Sequence, residues 1–148
     1  MSAVAESFWS TLPLGRGVTL LTHDANGLAA FDKPAGVLSH PNAGGDEPRS
    51  LLTVRYHLDG EYYEWTPAPG AAPQRLWLLN RLDSATSGVI LVAAEAELAQ
   101  TVRAHFKRAN ASKGGVVDLL LLQAEGRAVA EVTDEHRLAT APAAQDAD

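Results

Sequence analysis

The 148-residue chain contains no cysteine. Disulfide frameworks, thiol catalysis and thiolate metal sites are therefore excluded. No apolar run approaches the length that crosses a bilayer. The opening MSAVAESFWSTLPLG has neither the basic start nor the long apolar stretch of a signal peptide. These absences predict a cytoplasmic protein with no membrane partner. There is no Gly-rich loop of the P-loop or dinucleotide type. Ser39-His40 lacks the Gly-x-Ser-x-Gly surround of a nucleophile elbow. His57-Leu58-Asp59 lacks a third and fourth ligand at any familiar metal spacing, so His57 reads as a satisfied or exposed histidine. Neither a cofactor nor a metal is expected.

What is present suits one soluble domain: 46% hydrophobic and 20% charged residues, with enough length for a core. A net charge of −6 argues at first against nucleic acid. Its distribution softens that objection, because residues 1–113 carry 10 Lys/Arg against 11 Asp/Glu, and 114–148 carry 2 against 7. Arg103, Lys107, Arg108 and Lys113 form a basic cluster, which on charge alone reads as a solvated helix face.

The chain alternates short strands, loops and a helix. Asn26-Gly27 between apolar runs predicts a hairpin of Val18–Thr22 and Leu28–Asp32. KPAG at 33–36 breaks the second strand, and 41–48 is a polar loop. Ser50 looks like an N-cap, predicting a helix through about Tyr56 with Leu51, Leu52 and Val54 on one face. RLWLLN (75–80) and GVILVAA (88–94) read as buried strands. Residues 94–108 read as a helix with Leu98, Val102 and Phe106 on one face. The aromatic residues Trp9, Trp65, Trp77, Tyr62 and Tyr63 read as packing groups. The result is a mixed α/β domain over 18–113, preceded by an extension (1–17). An acidic tail of different character follows (114–148), its last ten residues predicted to be disordered.

NRLDSATSGVILVA (80–93) raises the functional question. Asp83 can be a nucleophile, general base or metal ligand. Arg81 can keep it ionised, and Thr86 and Ser87 can cap it, while Gly88 allows a close approach. A plain turn with a surface ion pair joining two strands fits the same spacing.

FDKPAGVLSHP (31–41), NRLDSATSGVILVA and AEAELAQTVRAHFKRANASK (94–113), in that order, resemble the RluA-type pseudouridine synthases. The resemblance implies isomerisation of uridine to pseudouridine in ribosomal or transfer RNA, without cofactor or metal. It implies Asp83 as the catalytic aspartate and Arg81 as its partner. Lys33 and the cluster containing Lys107, Arg108 and Lys113 would hold phosphates. Asn80, Thr86 and Ser87 would line the substrate site, Asn80 standing where the family usually has His. After Lys113 the family pattern calls for Lys-x-Tyr, whereas this sequence reads SKGGVVDLLLLQ. The alternatives are therefore a minimal synthase, monomeric if folded, a truncated or frameshifted product, or an inactive fragment that keeps at most RNA binding.

Overall fold

A computed structural model of the chain describes residues 4–111, with side chains through Lys107. The expectations for the acidic tail, for Lys113 and for the Arg108 side chain fall outside the described part.

The elements are α1 (Glu6–Ser10), β1 (Thr19–His23), β2 (Leu28–Lys33), a 3-10 turn (Glu47–Arg49), β3 (Arg55–His57), β4 (Tyr62–Trp65), β5 (Gln74–Leu78), β6 (Gly88–Ala93) and α2 (Ala96–Ala111). The six strands form one sheet in the order β1-β2-β6-β5-β4-β3, and every pairing is antiparallel. The mixed α/β expectation holds, as do the predicted hairpin, both buried strands and the long helix.

β2 and β6 form the centre, in register from Leu28↔Ala93 to Lys33↔Gly88. Alternation sorts their side chains onto two faces. Ala29, Phe31, Ile90 and Val92 pack with Trp9, Leu51, Leu52, Tyr63 and Leu82 on one face. Leu28, Ala30, Val89, Leu91 and Ala93 pack under α2 on the other, against Ala99 and Val102. Both faces are covered, which is why VILVA carries no polar residue. Burying a side chain such as Phe31 or Ile90 contributes about 2 kcal/mol.

One element differs from the expectation. Residues 50–56 form no helix. The 3-10 turn precedes Ser50, with Pro48 in its first positions, and β3 begins at Arg55. Leu51 and Leu52 are both fully buried, which one face of a helix starting there would not achieve. Their backbone instead pairs outward: Leu51 N–H donates to Leu38, Gly15 N–H donates to Leu51, and Thr53 N–H donates to Pro13. Non-local pairing has overridden the local capping signal.

Candidate active site

The site stands where β2 and β6 end side by side. β5 pairs with β6 only at Trp77↔Ala93 and Leu78↔Val92, so the lower half of β6 lacks a strand neighbour on that side among the described residues. Asn80 takes the place of one. Its Oδ1 accepts from Leu91 N–H at 2.7 Å and its Nδ2 donates to the Val89 carbonyl at 3.2 Å. Both ends of the amide are engaged, so Asn80 shapes the loop that follows it.

That loop alternates in exposure: Arg81 out, Leu82 buried, Asp83 and Ser84 out. Leu82 sits in the core while its neighbours face solvent, as extended backbone dictates. The 33–39 loop then clamps it. Ser39 Oγ donates to the Leu82 carbonyl at 2.5 Å and accepts from Leu82 N–H at 2.8 Å. Gly36 N–H donates to the Ser84 carbonyl at 2.5 Å, and Gly36 adopts φ +94°, a conformation that favours glycine. Tyr63 Oη donates to the Ser39 carbonyl at 2.6 Å, tying the clamp to β4.

Lys33 is fully buried. Its ammonium donates to the carbonyls of Val37 (2.5 Å), Pro34 (3.1 Å) and Ser84 (3.4 Å). Burial lowers its pKa from the ordinary lysine value, and the Asp83 charge acts in the opposite direction. Its position corrects the expectation that Lys33 holds phosphate, since a buried ammonium engaged by carbonyls is not offered to one. Lys33 instead fixes the backbone beside Asp83.

Arg81 also departs from expectation. The ion pairs among the described residues are His23–Glu6, Arg49–Asp46, His57–Glu64 and Arg75–Glu64, and Arg81–Asp83 is not among them. Arg81 Nη1 lies instead 3.4 Å from His40 Nε2. Arg103, expected in a phosphate-binding cluster, donates to the carbonyls of Leu78, Gly60 and Glu61. It pins α2 to the sheet. Thr86 is buried, with its N–H on the Asp83 carbonyl at 3.0 Å, while Ser87 and Lys107 are exposed. His57 is held by Glu64 at 3.0 Å, as a satisfied histidine.

Around Asp83 opens a cleft of about 570 Å³, walled by residues of the 38–42 loop, Glu61 and 79–84. A second cleft, of about 560 Å³, is lined by Arg103, Phe106 and Lys107 of α2. Glu61 and Leu79 belong to both linings, so the two depressions adjoin. Glu61 occupies that corner at φ +56°, its carbonyl accepting from Leu78 N–H and from Arg103. Sequence reasoning overlooked Ser39, His40 and Glu61 as parts of the site. Their partners lie about 40 residues away or across a strand, so the motif FDKPAGVLSHP, which contains Ser39 and His40, does not show what they touch.

Among the described residues no cluster of three His, Asp or Glu could hold a metal ion, and no helix is long and apolar enough to cross a membrane. A search of curated proteins returns no match to this chain. The family model for RNA pseudouridylate synthase matches residues 27–143, from the β1–β2 turn through the cleft and past Lys113. With most of its length matched, including every residue that builds the Asp83 cleft, the chain belongs to the RNA pseudouridylate synthase family.

Proposed function

We propose that this chain isomerises a uridine in ribosomal or transfer RNA to pseudouridine, with Asp83 as the nucleophile. The observation that carries the reading is the presentation of Asp83. It is the exposed carboxylate between a buried leucine and a carbonyl clamped from two sides, in a cleft of about 570 Å³. A pocket of that size suits a single base turned out of its stack.

In the net reaction the bond from uracil N1 to ribose C1′ breaks and a bond from C5 to C1′ forms. The C5 hydrogen leaves as a proton, and N1 gains one. No atom or electron is gained overall. Asp83 Oδ would form a covalent bond during the exchange and be released from it, dividing one difficult step into two. The Lys33 ammonium, buried beside the loop, fixes the Ser84 backbone next to Asp83. Arg81, exposed at the cleft wall, is suited to meet a phosphate or to fill the space that a flipped base vacates. Lys107, exposed at the adjoining cleft, extends the cationic edge. A family match that continues past Lys113 supports a chain carrying the domain onward over one that leaves it there.

The test is tritium release from RNA transcribed with uridine labelled at C5. The full chain should release label and Asp83→Asn should reduce release by at least about a thousandfold while still binding RNA. A wild-type chain that binds RNA in a salt-dependent way, yet releases nothing, would support the binding-only alternative and end the catalytic reading.

A further inference from the structure

Beside Asp83 the cleft wall holds an arrangement that the proposed reaction does not by itself require. His40 lies flat on Tyr56, with ring centroids 4.5 Å apart and planes within 3° of parallel. His40 Nδ1 is 3.0 Å from the Pro41 carbonyl oxygen, and Nε2 is 3.4 Å from Arg81 Nη1. A guanidinium can only donate and a carbonyl can only accept. One protonation state satisfies both contacts: the neutral tautomer with its hydrogen on Nδ1, donating to Pro41 and accepting from Arg81 at Nε2.

Tyr56 makes the plane of the ring definite. Its hydroxyl is buried without a hydrogen-bond partner among the described residues, so the residue acts here through its face. Burial pushes its phenol up to about 12, with Glu61 adding to the rise and Arg81 and Arg103 opposing it. The supporting ring therefore stays neutral, and Tyr63 holds it edge-on from β4 at 4.9 Å. A long, flexible, exposed arginine is thus met by an acceptor of fixed orientation.

We propose that His40 is a positioning residue, which in its neutral Nδ1–H tautomer holds Arg81 at the mouth of the Asp83 cleft and lets it go when the imidazole takes up a proton. This inference rests on the catalytic reading of that cleft. The charged or titratable groups facing His40 are Arg81 from the 80–87 loop and Tyr56 from β3, with Glu61 and Asp83 in the same cleft lining. Once protonated, both ring nitrogens are donors, and Nε2–H would meet a second donor of the same charge. The contact cannot survive that change.

Two measurements on the full chain decide the matter. In tritium release, His40→Ala should lower kcat by about tenfold to a hundredfold, with KM changed by less than about threefold. His40→Gln keeps an oxygen acceptor that does not titrate, so it should recover most of that loss. It should also lack the imidazole's contribution to the fall in kcat at acid pH. A His40→Ala enzyme within about twofold of wild type, or an unchanged acid limb in His40→Gln, would overturn the proposal. Separately, long-range nitrogen–proton correlation spectra of the imidazole should report the Nδ1–H tautomer without any RNA. An Nε2–H tautomer would refute the contact itself. If the wild-type chain releases no tritium at any pH, the catalytic reading falls, and the tautomer still decides whether His40 accepts from Arg81.

Discussion

The two ends of β2 are finished in opposite ways. At its start, the turn from β1 is closed from within. Asp24 Oδ1 accepts from Asn26 N–H and Leu28 N–H, both at 2.9 Å, and Gly27 takes φ +104° to bring the chain round. At its end, the chain is held by groups far away in sequence. Lys33 reaches the Ser84 carbonyl 51 residues on, and Ser39 bonds both backbone groups of Leu82, 43 residues on. Closing a short turn orders few residues, whereas a clamp between distant loops forms only once the sheet has assembled. The difference is one of purpose. A hairpin turn needs only to reverse direction, while the loop carrying Asp83 has to hold one backbone position against solvent.

Substitutions that remove one side-chain hydrogen-bonding group at each end would break this comparison if they cost the same. The largest loss is expected for Lys33→Met, which keeps the buried stem but removes three N–H···O contacts inside the core. It should destabilise the fold by about 3 kcal/mol in urea unfolding. Ser39→Ala comes next, at about 2 kcal/mol, because it strands both a buried N–H and a buried C=O of Leu82. Both variants should also lower tritium release beyond what the unfolded fraction explains, since the freed residues flank Asp83. Asp24→Ala, at the other end, should cost about 1 kcal/mol and leave release by the folded chain unchanged. An Asp24→Ala chain as unstable as Lys33→Met would erase the distinction.

The same contrast explains what could be read in the sequence. Asn26-Gly27, the runs 75–80 and 88–94 and the four-residue spacing of Leu98, Val102 and Phe106 act on near neighbours, and each element formed where expected. The order of motifs likewise pointed to Asp83, which stands in the loop just before the buried strand β6. The roles of the cations were not legible. Lys33, Arg81 and Arg103 look alike as charges, yet one is buried under three carbonyls, one faces His40, and one pins a helix. What separates them is where other parts of the chain arrive. The missing helix at 50–56 has the same origin, since Leu51 is engaged by Leu38 and Gly15 and Leu52 forms a bridge with Leu14.

The smallest expected effect sharpens the comparison most, because it asks whether the clamp senses the residue it presents. Burial lowers the Lys33 pKa and the Asp83 charge partly restores it. Asp83→Asn should therefore lower the Lys33 pKa further, which a pH titration of the lysine Cε and Nζ resonances would follow. The sign for stability comes from the protons bound. Between the lowered folded value and the ordinary unfolded value, the unfolded chain holds more protons, so Lys33 makes stability rise with pH across that window. Removing the Asp83 charge widens the window from its lower side. If the lysine titrates identically in both chains, the ammonium holds the Ser84 backbone without feeling the carboxylate beside it. Lys33 would then be purely a structural tie.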